Sequence, residues 1–143
     1  MNLNVNEAQQ KLEKLNGEIY SVLKSLGRYC DNVIYDSNDI DEKFLRDQFY
    51  FLSNKLEDVH GKIDYFSKSI VGQGFLKLND SKRYALPSGD YLNSGSVCEL
   101  LYTDNENEQY WVYTSIEHSG NDYYATALGK DHSINGMMAR IRG

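Results

Sequence analysis

Two apolar stripes constrain the fold of this chain more than any other feature of its sequence. Within each stripe the residues are three and four positions apart, a spacing that puts side chains on one face of an α-helix and is typical of coiled-coil packing. The first stripe contains Val5, Ala8, Leu12, Leu15, Ile19, Val22 and Leu26 and extends to Cys30 and Val33. The second stripe contains Leu45, Phe49, Leu52, Leu56, Val59, Ile63, Phe66 and Ile70. The stripes predict two long helices that form an antiparallel αα-hairpin.

The expected helix starts carry capping residues. Asn4 and Asp39 each precede a stripe, and each is followed three residues later by a glutamate, which is the pattern of a capping box. We expect the helices to end near residues 29 and 69, with a polar turn over 35–39 between them.

The stripes allow two kinds of packing. They can bury each other as the core of one hairpin, or they can form the seam of a homodimer in which two hairpins make a four-helix bundle. We favour the core, because the turn already brings the two helices together, and the homodimer is the alternative.

After residue 70 the sequence changes to short aromatic segments separated by turn residues. The predicted strands are Phe75–Leu78, Arg83–Leu86, Ser96–Thr103, Gln109–His118, Tyr123–Leu128 and Met137–Ile141. Strands of this number and length suggest a small antiparallel β-barrel-like module of SH3-like size. The predicted class is therefore α+β, with a helical hairpin over 1–70 and a small β module over 71–143.

Charge and cysteine content narrow the possible environment and partners. The net charge is −6, with nine basic and twelve acidic residues in 1–70 and six basic and nine acidic residues in 71–143. This even distribution disfavours direct nucleic-acid binding, which normally needs a concentrated basic face. There is no apolar run long enough to cross a membrane and no signal-peptide pattern, and Cys30 and Cys98 lack metal or redox spacing. We expect a reduced, cytoplasmic protein.

The residues that could support catalysis do not form a recognisable site. The only nucleophile and base to consider are Cys98 and His118, and Cys98 lies in an apolar strand that argues for burial. His60 and His132 are expected to face solvent. No metal-ligand spacing or phosphate-binding loop is present, so the sequence predicts a protein that is not an enzyme and uses no metal or cofactor.

Aromatic residues are unusually frequent in the second half. Because adjacent residues of a strand point to opposite faces, pairs such as Tyr110-Trp111 put at least one ring on an outer surface. Exposed Tyr and Trp are typical of protein interfaces. The predicted partner-binding residues are Tyr110, Trp111, Tyr113, Tyr123 and Tyr124, with Asp104, Glu106 and Glu108 as an acidic border. Such a surface suits a basic protein partner.

A series of short motifs in the second half also resembles a known family. In order they are Lys82-Arg83-Tyr84-x-Leu86, Leu92-x-Ser94-Gly95-Ser96, Glu99, Trp111-x-x-Thr114-x-Ile116-Glu117-His118, Tyr123-Tyr124 and Arg140-Ile141-Arg142. Over about residues 72–143 they resemble an uncharacterised domain family of small proteins from Gram-positive bacteria and their phages, plasmids and conjugative elements. The resemblance implies a cytoplasmic accessory protein of mobile elements and no assigned activity.

These observations lead to one functional hypothesis and one alternative. The first is a non-enzymatic protein-interaction module of a phage or mobile genetic element, one form of which is an inhibitor of a host defence nuclease of the anti-CRISPR type. The alternative is an accessory protein that binds single-stranded nucleic acid through its β module. The alternative needs several cations on one side of the module, namely Lys82, Arg83, Lys130, Arg140 and Arg142.

Overall fold

The computed structural model describes residues 2–143, and the chain divides into two compact units, Met1–Lys68 and Ser69–Gly143. The first is the helical unit and the second is the β unit. The predicted α+β class is therefore confirmed.

The helical unit contains α1, Val5–Leu26, and α2, Ile40–Ser67. Both predicted helix starts are confirmed. The Asn4 side chain accepts a hydrogen bond of 2.8 Å from the Glu7 amide, and the Asp39 side chain accepts from the amides of residues 41 and 42. These bonds satisfy backbone donors that have no partner within the helix. The first helix ends earlier than expected, because Gly27 adopts a φ of +77° that takes the backbone out of the helical region.

The two helices contact each other in antiparallel order. Near one end of the pair the Gln9 side-chain amide donates to the Phe66 carbonyl at 3.0 Å, and further along, Asn16 Oδ1 lies 2.8 Å from His60 Nδ1. They are joined by residues 27–39, which include a single 3-10 turn at Arg28–Cys30. The prediction of a hairpin closed by a short turn over 35–39 was therefore wrong in its connection, which is a long loop.

Most of the apolar stripes do not form the core of the helical unit. Ile19 is the buried apolar residue of α1, and Ser53 is the buried residue of α2. Eight stripe residues of the helical unit are exposed: Val5, Leu12, Leu15, Val22, Leu45, Phe49, Leu52 and Val59. For these residues the core interpretation was wrong.

The β unit contains seven strands. They are β1 Ile70–Phe75, β2 Lys77–Leu78, β3 Tyr84–Ala85, β4 Val97–Thr103, β5 Gln109–His118, β6 Tyr123–Ala125 and β7 Met138–Arg142. Five of them form one antiparallel sheet in the order β1-β7-β4-β5-β6, and β2 pairs with β3 separately. Residues 69–143 do not form a closed barrel, so the barrel-like prediction is corrected to an open five-stranded sheet and a two-stranded ribbon.

Strand β1 was missed, because the second helix was expected to reach residue 69 and the first strand was placed only at Phe75–Leu78. The role of its glycines is steric: a Cβ at Gly74 would lie 2.4 Å from the Pro87 side chain, and one at Gly72 would lie 3.1 Å from Leu86. Strand β1 therefore passes directly beneath the 86–87 segment, where there is no space for a side chain.

The core of the β unit lies on one face of the sheet. Its buried members are Leu76, Tyr84, Leu86, Leu92, Cys98, Leu100, Ile116, Ala125, Ile134 and Ala139. Strands β4 and β5 supply alternate residues to this core, and the intervening residues point to the opposite face.

Candidate functional site

The sheet divides the predicted aromatic site between its two faces. Tyr110 and Tyr123 lie on the core side of β5 and β6, whereas Trp111, Tyr113 and Tyr124 lie on the opposite face. Tyr110 is 45% exposed, and the other four are half-buried. The five rings are therefore divided between the two faces and do not form one continuous patch, and their role in partner binding stays a prediction.

The acidic border lies in the turn between β4 and β5, beside Tyr110. The Asp104 carboxylate accepts hydrogen bonds of 2.9 Å from the amides of Glu106 and Glu108. Tyr102 and Tyr110 pair across the two strands with their ring centroids 5.8 Å apart. Desolvation and the nearby carboxylate of Asp104 raise the pKa of Tyr110. We call these five residues the hairpin tip. Four of its residues, all except Tyr102, belong to the predicted site, and the fold brings these four together.

The face opposite the core carries a cluster of charged groups that sequence reasoning missed. Glu99 is only 3% exposed. Arg140 donates two hydrogen bonds to Glu99 Oε1, from Nε at 3.1 Å and from Nη2 at 2.9 Å. Arg142 donates one hydrogen bond to each carboxylate oxygen, from Nε to Oε2 at 3.0 Å and from Nη2 to Oε1 at 3.2 Å. The Arg140 guanidinium also lies 4.0 Å from the centroid of the Trp111 ring. We call these four residues the Glu99 cluster.

Strand register explains how the Glu99 cluster forms. Glu99 of β4 is opposite Arg140 of β7 on one side and Tyr113 of β5 on the other. Arg142 lies two residues beyond Arg140, so it points to the same face. A signal for the cluster was present in the sequence, because Glu99, Trp111 and the Arg-Ile-Arg ending all belong to the motifs that carried the family resemblance. That these residues contact one another could not be predicted without knowing that β4 pairs with β7.

The Glu99 cluster also bears on the nucleic-acid alternative. Of the five cations that this alternative needs, Arg140 and Arg142 do lie side by side, but they surround a carboxylate that offsets part of their charge. Arg83 lies over the ring of Tyr91, and Lys130 over that of Tyr124.

The nucleophile and base considered for catalysis are not brought together. Cys98 is opposite Thr114 in β5, whereas His118 lies four residues further along that strand, opposite Tyr123. Burial, with a smaller contribution from the charge of Glu99, raises the pKa of the Cys98 thiol to about 12. A thiol with this pKa is protonated at neutral pH and is a poor nucleophile.

Metal-binding and membrane-spanning features are absent from residues 2–143. In this range, no group of three or more His, Cys, Asp or Glu side chains is arranged to hold a metal ion. Neither α1 nor α2, the two long helices of the described chain, has the length and apolar character needed to span a membrane.

The helical unit carries an extended exposed apolar surface. It is formed by seven large side chains, each between 38% and 55% exposed: Leu12, Leu15, Val22, Leu45, Phe49, Leu52 and Val59. We call this set the apolar helix face. Spacings of three, four and seven residues place the members of each helix on one side of it. Leu12 and Val59 line a common groove of about 290 Å³ with Ile63 and Phe66, so the two helices contribute to the same surface.

The contact between the helices explains why the apolar helix face stays exposed. The inner surface of the pair contains polar groups, with Asn16 against His60 and the Cys30 thiol 3.7 Å from the Ser53 hydroxyl. The ring of His60 also lies 5.6 Å from that of Tyr20. His60 was expected to face solvent, but it lies in this contact. Polar groups therefore occupy part of the contact between the helices, and only part of each apolar stripe is covered.

Comparison with known proteins gives a family match within the β unit alone. Residues 74–141 match a family described as a domain of unknown function, DUF5348. This match covers most of the segment for which the resemblance was noted. No curated protein and no solved structure shows a significant match to the chain.

Proposed function

We propose that this chain is a non-enzymatic protein-interaction protein whose helical unit packs against helices of another polypeptide. The observation that carries the proposal is the exposure of the apolar helix face. With roughly half of each side chain exposed, its seven residues present on the order of 500 Å² of apolar surface, at the upper end of what a monomer normally shows. Exposed apolar surface of this size is typical of a protein-binding site.

Site-specific cross-linking tests the proposal. A photoreactive amino acid is introduced in place of Leu52, and in a matched chain in place of Phe51, its neighbour outside the apolar helix face. The two positions are 55% and 57% exposed, so they differ in face and not in accessibility. In cells of the native host we expect cross-links to a polypeptide from position 52 and few from position 51. Equal yields from the two positions, or none from either, would contradict the proposal.

The hairpin tip supports a second, independent contact. Three carboxylates beside an exposed tyrosine suit a basic protein surface better than a nucleic acid. The narrower hypotheses, that the chain belongs to a mobile element and that the partner is a defence nuclease, draw on the sequence resemblance and on this acidic tip. They predict that Glu106→Lys combined with Glu108→Lys weakens binding to a basic partner, and that binding depends strongly on salt.

A further inference from the structure

We propose that the apolar helix face binds the same face of a second copy of this chain, so that two antiparallel helix pairs form a four-helix bundle. The inference rests on the proposed function, because it names the partner of the surface described above. A face that binds its own copy forms a two-fold symmetric interface, which is the commonest arrangement among soluble oligomers.

The spacing of the exposed residues indicates that the occupant is helical. Leu45, Phe49, Leu52 and Val59 occupy successive heptad positions of α2, with Leu56 completing the series between them. A heptad seam is complementary to another helix, whose side chains fit between its own. An extended peptide or a small molecule would not require this regular spacing over four turns.

The dimensions of the helical unit indicate that a second copy is a suitable occupant. Helices α1 and α2 have 22 and 28 residues, and an antiparallel pair of this kind is half of an up-and-down four-helix bundle. A second copy supplies two helices of matched length. The apolar helix face offers on the order of 500 Å², which is more than half of the roughly 800 Å² that each partner buries in a stable interface.

The charges that border the face are compatible with self-association. Lys11 and Glu18 lie four residues before and three residues after Leu15 on α1, and Lys55 lies between Leu52 and Val59 on α2. Both signs are present at the border, so two copies can meet without a concentration of like charge. A border of one sign would instead favour a partner of opposite charge.

Molar-mass measurement of the full chain tests the inference. Light scattering at tens of micromolar should give twice the 16.5 kDa mass of one chain. Leu52→Glu should weaken self-association at least tenfold, because it puts a charge in the centre of the interface. Leu15→Glu should act in the same way from the other helix. The matched control, Phe51→Glu, makes the same change at an equally exposed position outside the face and should leave the dimer intact.

The outcomes separate this inference from the proposed function. Circular dichroism of each variant shows whether the helices remain folded, and the positions are exposed enough for the folded chain to accept glutamate. A wild-type chain that is monomeric throughout this concentration range overturns the dimer. If it is monomeric and position 52 cross-links to a different protein, the proposed function stands and the second copy is the wrong partner. Loss of the dimer in Phe51→Glu but not in Leu52→Glu would place the interface on another face.

Discussion

Replacing Glu99 with glutamine should strongly destabilise the β unit. The carboxylate is 3% exposed and accepts charge-assisted hydrogen bonds from Arg140 and Arg142, whose side chains are 20% and 18% exposed. Glutamine keeps the shape but removes the charge, and its amide nitrogen cannot accept a hydrogen bond. Removing one partner of such a buried ion pair costs about 3–5 kcal/mol of unfolding free energy, because the remaining charges stay desolvated.

Urea unfolding monitored by tryptophan fluorescence measures this loss. Trp111 is the only tryptophan of the chain, and Arg140 lies over its ring, so the signal reports on the β unit and on the Glu99 cluster. Glu117→Gln is the matched control, since Glu117 lies on the same sheet face and is half-buried. We expect the control to change stability by less than about 0.5 kcal/mol.

Making Glu99→Gln in a variant that lacks both arginines gives a sharper test of the same reasoning. When both Arg140 and Arg142 are replaced by glutamine, Glu99 becomes a buried carboxylate without the two guanidinium groups. In that background Glu99→Gln should raise the unfolding free energy instead of lowering it. A loss below about 1 kcal/mol in the wild-type chain, or the same sign in both backgrounds, would refute the electrostatic account of the Glu99 cluster.

Three further predictions follow from local geometry. The unfolded chain ionises the Cys98 thiol near pH 9, whereas the folded chain holds this proton up to about pH 12. The unfolding free energy should therefore fall by about 1.4 kcal/mol per pH unit between these two values. Urea titrations at several pH values measure this slope, and Cys98→Ala should remove the contribution of the thiol to it. Gly74→Ala should cost about 1–3 kcal/mol, measured by tryptophan fluorescence, because its Cβ would lie 2.4 Å from the Pro87 side chain, and an unchanged midpoint would contradict this packing. Gly61→Ala has open space around its Cβ and lies within α2, so it should raise the thermal midpoint of the helical circular dichroism signal through a gain of up to about 1 kcal/mol.

The sequence was sufficient to predict the elements that depend on local chemistry. The caps at Asn4 and Asp39 and the long strand β5 were predicted with their observed positions or bounds. Each depends on residues close together in the chain: a side chain that accepts from the next turn, or a run of aromatic and β-branched residues bounded by turn residues. The end of α1 was placed too late because the apolar stripe continues beyond Gly27, where a positive φ ends the helix.

Features that depend on pairing between distant segments could not be predicted. The Glu99 cluster joins β4 to β7, about forty residues apart, and only the sheet order brings Arg140 opposite Glu99. Strand β1 was hidden for the same reason, because its glycines are explained by the approach of Pro87. The residues at the helix contact could not be predicted either: the stripes predict that the helices pack, but not that Asn16 contacts His60 between them while Leu52 stays exposed.

The central claim is that a second copy of the chain covers the apolar helix face in solution, and thiol labelling of the purified protein tests it most directly. Two separate variants, Leu52→Cys and Phe51→Cys, place a thiol at positions that are almost equally exposed in the single chain. The native Cys30 and Cys98 are fully buried and give little background labelling. At tens of micromolar, maleimide should label the thiol introduced by Leu52→Cys at least tenfold more slowly than the one introduced by Phe51→Cys, and dilution should remove the difference. Equal labelling rates at all concentrations would show that the face stays open to water, which would contradict the claim for self-association.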